Sequence, residues 1–232
     1  MRIAAWSGPR NLSTAMMYAF AARGDCDVWD EPFYAPFLAL TGVDHPMRDA
    51  ILAAHETDPR AVIRDLGDHA APHLYLKLMA HHMVDGIPLD WAGTFTHLHL
   101  IRHPARVIAS YAAKRERPGM EDIGFARQKA LHDRFGGVIV DTTELRADPR
   151  GMLERLCSAL GLPFTNRMLS WPEGGHPADG VWGEHWYGAI HCSTGFAAPE
   201  GPLPDLDGPE ARLYAEAMPF FEAMAAERIR GA

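Results

Sequence analysis

Short apolar runs alternate with segments of helical periodicity along most of the chain. Five runs have the length and composition of buried strands, and the stretches between them place apolar residues at helical spacing. The predicted strands span residues 3–6, 26–30, 74–79, 96–101 and 137–141. One predicted helix begins at residue 13, and the others span residues 46–55, 59–66, 105–114, 121–135, 150–160 and 209–230. This alternation favours an α/β fold with a central, mainly parallel sheet flanked by helices.

The turn after the first strand combines a glycine, an arginine and a helix start. Gly8 and Pro9 break the apolar run, and Ser13 or Thr14 is a candidate N-cap for the following helix. The free N–H groups and the positive dipole end of a helix N-terminus attract phosphate, and Arg10 adds a permanent cation. The turn therefore indicates either an anion site or an ordinary strand–turn–helix connection.

This turn is not a standard nucleotide-triphosphate loop. That loop needs a second glycine followed by a lysine, whereas Leu12 and Ser13 stand at these two positions.

A second strand exit repeats the same chemistry in the middle of the chain. Arg102 follows the predicted strand 96–101, Pro104 suits the first turn of the next helix, and Ser110 lies two helical turns further on. One interpretation is a second anion site. The other is an arginine that bonds loop carbonyls and a serine inside a helix.

Three further residues at strand ends are candidates for chemistry. Glu31 follows the strand 26–30, and Pro32 biases it toward an extended backbone at an edge where ligand sites gather; the alternative is a solvated carboxylate. Lys77 interrupts the apolar run 74–79, so it either reaches an anion or extends from an edge strand to water. The anion is the favoured interpretation. His82 lies after that strand and has a side chain that titrates near neutral pH.

Composition limits the class of partner and the compartment. The 232 residues carry a net charge of −8, which argues against nucleic-acid binding by the whole surface. Three scattered cysteines form neither a disulfide framework nor a metal motif, so we expect a reducing cytoplasmic setting and no metal. No signal core precedes the first strand, and no apolar stretch reaches the roughly 20 residues of a membrane helix.

The domain prediction is a single α/β domain over residues 1–232. The segment 172–204 is rich in Gly, Pro, His and Trp, and we expect it to pack as a cover loop over the carboxyl edge of the sheet. The amphipathic helix 209–230 closes the chain, with a stripe of Leu213, Ala217 and Phe221 that we expect to face the core.

Three segments of the chain resemble the sulfotransferase superfamily that uses 3′-phosphoadenosine 5′-phosphosulfate (PAPS). Residues 9–14 are similar to the family's 5′-phosphosulfate loop, Pro-Lys-Ser-Gly-Thr-Thr, although Leu12 replaces its glycine. Residues 102–111 are similar to the 3′-phosphate segment, in which an arginine precedes a serine by eight positions, as Arg102 precedes Ser110. Residues 180–186 resemble the late Gly-x-Trp-x-x-His-Phe loop, without the basic Arg-Lys-Gly that precedes it. The resemblance implies a three-layer fold like that of P-loop nucleoside triphosphatases (NTPases).

The resemblance also implies roles for individual residues. It assigns donor binding to the side chains Arg10, Asn11, Leu12, Ser13, Thr14, Arg102 and Ser110. Glu31 matches the catalytic glutamate of the family's glycan-modifying branch and is the first choice of base, with His82 as the second. Lys77 would stabilise charge on the transferred group, and Trp182 and His185 would contact the acceptor, which we expect to be a small molecule with a hydroxyl or an amine.

Two other functions stay open from the sequence. A kinase or nucleotide hydrolase on the related P-loop fold is disfavoured because the Gly-Lys-Ser/Thr loop is missing. A nucleotide-binding protein without catalysis is a real alternative, because Leu12 replaces a glycine and the Arg-Lys-Gly segment is absent. The sequence identifies neither the acceptor nor the oligomeric state.

Overall fold

Five parallel strands form one sheet in the part of the chain that the computed structural model describes, residues 1–67, 69–113 and 118–231. The strand order is β2-β3-β1-β4-β5. The strands are β1 (Arg2–Ser7), β2 (Cys26–Asp30), β3 (His73–Met79), β4 (Thr96–Ile101) and β5 (Val138–Asp141). The predicted α/β class with a central parallel sheet is confirmed, and all five predicted strands are present.

Helices connect the strands and follow the last of them. They are α1 (Ser13–Ala21), α2 (Tyr34–Thr41), α3 (Arg48–Ala54), α4 (Pro59–Asp65), α5 (Pro104–Ala112), α6 (Met120–Ile123), α7 (Phe125–Phe135), α8 (Thr142–Ala147), α9 (Pro149–Leu160), α10 (Gly183–Trp186), α11 (Gly188–His191) and α12 (Gly208–Ala225). Short 3-10 turns cover Ala80–His82, Asp90–Thr94 and Asn166–Leu169. None of the helices in the described ranges combines the length and the apolar character that a membrane crossing needs.

The helices cover both faces of the sheet, which gives three layers. On one face, apolar side chains of α1 and α9 pack against inward residues of β1, β4 and β5 in one continuous cluster. On the other face, α4 and α7 cover β1 and β3, and α5 and α12 cover the end of β4 and β5. The stripe of Leu213, Ala217 and Phe221 on α12 is buried in that second layer, as its spacing predicts.

Two helix predictions differ from the structure. Residues 121–135 form two helices rather than one, because Gly124 adopts a left-handed φ of 69°, ends α6 and begins α7. The last helix ends at Ala225 rather than at residue 230. The predicted end of helix 105–114 at Lys114 lies outside the described residues, and α5 is assigned as far as Ala112.

The segment 172–204 contains α10 and α11 and otherwise has no helix or strand within it, all of its residues being described. An isolated antiparallel bridge pairs Ser170 with Gly195. The backbone N–H of Gly180 donates to Oδ2 of Asp30 at 3.2 Å, which attaches the segment to the carboxyl end of β2. The segment therefore contacts the sheet at the carboxyl end of β2.

Two adjacent glycines before β5 allow a matched test of how closely the backbone there approaches β4. Gly137 has a φ of 117°, and a Cβ there would lie 2.5 Å from the carbonyl oxygen of His97. Gly136 has a φ of 66°, but a Cβ there would meet nothing within 4 Å. We expect Gly137→Ala to lower the free energy of unfolding by ~2–4 kcal/mol, because backbone strain and a steric clash add.

Urea denaturation measures the free energy of unfolding of both variants. Gly136→Ala, the control, should lose only the ~1–2 kcal/mol of a left-handed alanine. Equal losses in the two variants would contradict the close approach of Gly137 to β4.

Candidate active site

The carboxyl ends of β1, β3 and β4 open into one cavity of about 350 Å³. The turn of residues 9–15 forms one wall of it, and Arg102 and Ser110 form the adjoining wall. Glu31, Lys77 and His82 line the opposite side. The predicted anion-binding and catalytic residues from distant parts of the chain therefore meet at a single cavity, whose size suits a small ligand.

The turn between β1 and α1 follows the path of a glycine-rich loop without its second glycine. Arg10 and Leu12 both adopt left-handed backbones, with φ values of 62° and 55°. Gly8 makes room for the turn, because a Cβ there would lie 2.6 Å from the carbonyl oxygen of Ile123. Leu12 thus takes a conformation that favours glycine, and such strained positions gather at functional sites.

The start of α1 differs from the sequence prediction. Leu12 is the N-cap and offers no side-chain hydrogen bond, so neither Ser13 nor Thr14 caps the helix. The first helical bond runs from the N–H of Met16 to the carbonyl of Leu12 at 3.0 Å. The first N–H groups of a helix have no partner within it, and residues 13–15 at the start of α1 line the cavity.

Asn11 links the turn to the neighbouring strand. Its side chain is 1% exposed, and its Nδ2 donates to the carbonyl oxygen of Leu100 in β4 at 3.1 Å. Gln128 of α7 donates to the same carbonyl at 2.8 Å. The Oδ1 atom of Asn11 is buried and has no hydrogen-bond partner, so a polar acceptor at the floor of the turn is left for another group.

The two arginine-bearing turns are joined to each other. Nε of Arg10 donates to Oγ of Ser110 at 2.9 Å, and Nη1 of Arg102 donates to the carbonyl oxygen of Arg10 at 2.7 Å. Burial and the nearby charge of Arg102 both lower the pKa of Arg10. Two guanidinium groups held this close favour an anion between them. Arg102 also bonds a loop carbonyl, as the alternative interpretation of this residue expects.

Lys77 lies in a cage of acidic and phenolic groups. The side chain is 1% exposed, and its Nζ donates to Oδ1 of Asp30 at 2.8 Å and to Oε1 of Glu31. The hydroxyl of Tyr187 accepts from Lys77 at 2.6 Å and donates to Oδ2 of Asp30 at 2.8 Å. The interpretation of Lys77 as an edge residue that reaches water is wrong, because β3 is an inner strand and the ammonium is buried.

Burial and the charges in this cage shift the pKa values of Glu31 and Lys77. Burial raises the pKa of Glu31; the charge of Lys77 opposes this shift, and that of Asp30 adds to it. Burial alone would lower the pKa of Lys77, but Asp30 and Glu31 raise it above its ordinary value. Lys77 is therefore a permanent cation, and Glu31 takes up a proton at a higher pH than a solvated glutamate does.

Glu31 does not have the extended backbone that Pro32 predicts. Its φ is 40°, and its N–H donates to the carbonyl oxygen of Lys77 at 2.9 Å. Its own carbonyl accepts from the N–H of Tyr34 at 2.9 Å. These two bonds hold a tight turn between β2 and α2 against the preference of a residue before proline, and they direct the carboxylate into the cavity.

His82 is close to Glu31 but differs from it in charge. Its Nδ1 lies 3.9 Å from Oε2 of Glu31, and the ring stacks on Tyr34 and Phe37. Burial lowers the pKa of His82 well below its ordinary value, and nearby histidines and Lys77 add to the shift. The ring is thus neutral at neutral pH.

The two predicted acceptor contacts, Trp182 and His185, do not line the cavity. Trp182 is buried behind Tyr187, to whose hydroxyl its Nε1 donates at 2.9 Å. His185 points outward and packs against Trp186. The turn of α10 rotates both away, and it is Trp186 and Tyr187 that face the cavity. The geometry gives no support to a substrate contact by either predicted residue.

Sequence reasoning missed Asp30, Tyr187 and Arg146, which all contribute to the site. The signal for Asp30 was available, because a buried lysine needs an opposite charge and Asp30 precedes Glu31 directly. The Cα atoms of Asp30 and Lys77 pair across β2 and β3. Tyr187 and Arg146 had no local signal, since each lies in a segment far along the chain from the residues that it contacts.

Among residues 1–67, 69–113 and 118–231, no group of three or more His, Cys, Asp or Glu side chains is placed to hold a metal ion.

Comparison with known proteins gives a consistent family. The model of a sulfotransferase domain matches residues 1–228. A solved sulfotransferase domain from the curacin biosynthetic pathway has the same fold, with a TM-score of 0.56 over 93% of this chain and 96% of that one, at 16% sequence identity.

Two curated relatives from Arabidopsis thaliana are similar in sequence. They are the branched-chain-amino-acid aminotransferase-like proteins 1 and 2, each 36% identical over 205 residues, which is 85% of this chain. The chain spans 37% and 36% of the lengths of these two relatives. With a domain model that covers nearly all of its residues, the chain belongs to the sulfotransferase domain family.

Proposed function

We propose that this protein transfers a sulfuryl group from PAPS to a hydroxyl or amine of a small molecule. One observation carries the proposal: the two arginine-bearing turns, joined by the Arg10–Ser110 hydrogen bond, line the same cavity as Glu31 and Lys77. Cations for a doubly phosphorylated nucleotide and a candidate base therefore face each other. Membership of the sulfotransferase family supports this assignment.

The residues present fit such a donor. The helix N-terminus at Ser13 and the guanidinium of Arg10 suit the 5′-phosphosulfate, since both favour dense negative charge. Arg102 and Ser110 suit the 3′-phosphate on the adjoining wall. The buried Oδ1 of Asn11, which has no partner, can accept a hydrogen bond from an N–H or O–H group of a ligand. When bound, PAPS supplies a sulfuryl group that is already activated by a phosphate leaving group.

The chain's own residues would then manage one proton and one developing charge. The ionised Glu31 takes the proton of the acceptor's hydroxyl or amine, for which it must lie within hydrogen-bond reach of the attacking atom. Arg10 holds positive charge where negative charge builds on the sulfuryl and leaving phosphate oxygens. Lys77 acts there only through the field of its charge, because its three N–H donors already go to side chains of the cage. Preorganised charges of this kind typically contribute about 10²–10³ in rate.

The acceptor would approach from the side opposite the arginines. Tyr34, His82 and Trp186 line the cavity there, together with Ile190. Flat rings with few charges suit a small acceptor with an apolar or aromatic body, and Glu31 lies where its polar group would enter.

We place the reaction in the cytoplasm, because Cys26, Cys157 and Cys192 are free thiols and such thiols persist in reducing compartments.

The donor site is tested by removing the cation of the second turn. Arg102→Ala should weaken the binding of 3′,5′-bisphosphoadenosine by on the order of 10²-fold, because a buried charge-assisted contact is lost. Isothermal calorimetry on the wild type and the variant measures the change. Arg134→Ala is the control, since Arg134 is half exposed and pairs with Asp90 at 3.5 Å, away from the cavity. An Arg102→Ala variant that folds normally and binds with unchanged affinity would contradict the donor site.

The base is tested by comparing two substitutions. Glu31→Gln should lower kcat/KM with PAPS by about 10²–10⁴, because the proton acceptor is removed while the size of the side chain is kept. His82→Gln should lower it far less, since the neutral His82 only packs beside the carboxylate. Radiolabelled sulfuryl transfer to a panel of small alcohols, phenols and amines gives the rates.

The pH profile gives a second, independent readout of the base. Glu31 accepts a proton only when ionised, so kcat/KM falls as the pH drops through its pKa. Because burial raises the pKa of Glu31 above its ordinary value of 4.5, we expect the fall at a higher pH than a solvated glutamate gives. The fall should persist in His82→Gln.

A different outcome would favour a nucleotide-binding protein without catalysis. In that case the protein binds the donor but transfers no sulfuryl group to any acceptor, and Glu31→Gln changes no measured reaction.

A further inference from the structure

A short strap of backbone, residues 198–202, lies across three arginines beside the cavity. Arg146 donates from Nε to the carbonyl of Ala198 at 2.8 Å. Arg106 donates from Nη2 to the carbonyl of Gly201 at 2.6 Å. The strap thus satisfies guanidinium groups of α5 and α8 with its own acceptors.

Glu200 is the centre of this contact. Its side chain is 3% exposed, and Oε1 accepts from Nε of Arg102 at 3.0 Å, from Nη2 of the same guanidinium, and from Nη1 of Arg146 at 2.9 Å. Oε2 accepts from Oγ1 of Thr143 at 3.0 Å and forms an ion pair with Arg106 at 3.1 Å. One carboxylate therefore has three arginine partners.

The charges around Glu200 do not balance. Burial would raise the pKa of Glu200, but hydrogen bonds from Arg102 and Thr143 and the charges of Arg102 and Arg106 hold it below its ordinary value. The group is thus a carboxylate at neutral pH and cancels one of three positive charges. Two remain, and the guanidinium of Arg10, whose pKa the nearby charge of Arg102 lowers, adds another. A cluster with this excess favours an anion with more charge than one carboxylate carries.

A phosphate monoester is such an anion. It carries ≈ −1.5 to −2 at neutral pH, and guanidinium groups bind it in the same two-pronged manner as a carboxylate. Arg102, Arg146 and Ser110 line the cavity. However, the Nε and Nη2 side of Arg102 already donates to Glu200. A phosphate that takes this face of Arg102 must displace the carboxylate.

We propose that Arg102 and Arg146, with Ser110, bind the 3′-phosphate of the donor, and that Glu200 is an internal anion that this phosphate replaces. The inference rests on the proposed function. It assigns Arg146 the role of the second cation, for which the family's basic Arg-Lys-Gly segment is missing here. Release of Glu200 would loosen the middle of the strap of residues 198–202, while the bond from Arg106 to the Gly201 carbonyl would still hold one end of it.

The proposal is tested by removing the charge of Glu200 while keeping its size. Glu200→Gln should bind 3′,5′-bisphosphoadenosine about tenfold tighter than the wild type, because the competing anion no longer reduces the fraction of open sites. Its affinity for 5′-AMP, which has no 3′-phosphate, should not change. Arg146→Ala should weaken bisphosphate binding and leave 5′-AMP unaffected. The control is Glu144→Gln, which should bind the bisphosphate as the wild type does, because the carboxylate of Glu144 pairs with Arg228 at 2.8 Å. Calorimetry gives all of these affinities.

Hydrogen exchange of the wild type provides a measurement that needs no variant. Saturating bisphosphate should speed the exchange of amides in residues 195–204, and 5′-AMP should not. Weaker binding of the bisphosphate by Glu200→Gln, or slower exchange in this segment with ligand, would show that Glu200 braces the arginines and would overturn the proposal.

Failure of the proposed donor is distinguishable from failure of this exchange. If neither the wild type nor any variant binds the bisphosphate, the donor assignment is wrong. Inorganic pyrophosphate then serves as the probe of the arginine cluster. A larger rise in thermal stability with pyrophosphate for Glu200→Gln than for the wild type would sustain the exchange of anions. Equal rises would overturn it.

Discussion

The buried ammonium of Lys77 fixes the arrangement of the whole carboxyl edge. It lies on an inner strand of the sheet, where a charge without partners would be very unfavourable. Asp30 and Glu31 come to it from β2, and Tyr187 comes from the segment that covers the edge. Breaking one buried pair typically costs about 3–5 kcal/mol, because the other charge is left uncompensated. The same contacts therefore hold the candidate base, the candidate catalytic cation and the cover segment in one geometry.

Backbone strain is concentrated at the same place. Four non-glycine residues among those described have a positive φ, and three of them, Arg10, Leu12 and Glu31, line the cavity. Each such residue costs of order 1–3 kcal/mol, which the surrounding structure must outweigh. For Glu31 the opposing contacts are the bonds to the backbone of Lys77 and Tyr34. The chain thus retains unfavourable conformations at residues whose positions line the cavity.

The sheet and most of the helices were predictable because their signals are local. Apolar runs and helical spacing predicted the five strands to within one residue at either end. The two arginine-bearing turns were found from strand exits followed by helix starts. The break at Gly124 was missed, since a glycine inside a helical pattern does not reveal its φ. The backbone of Leu12 was equally hidden, because only the packing of the turn selects a left-handed leucine.

The contacts that make the site were less predictable because they join distant segments. Arg10 and Ser110 are 100 residues apart, and Glu31 and Tyr187 are 156 apart. A buried lysine demands an anion, but the sequence does not say that two carboxylates and a phenol supply its contacts. Likewise, the sequence does not say that Arg146 contacts Glu200, 54 positions further along the chain. Pairing across the sheet and the path of the cover segment decide both.

We propose that the two turns hold opposite ends of one nucleotide. A crystal structure of the protein with 3′,5′-bisphosphoadenosine tests it most directly. We expect the 5′-phosphate at the N-terminus of α1 beside Arg10, and the 3′-phosphate within hydrogen-bond distance of Arg102 and Ser110. A nucleotide bound elsewhere, or one whose 3′-phosphate points into solvent away from Arg102, would contradict it.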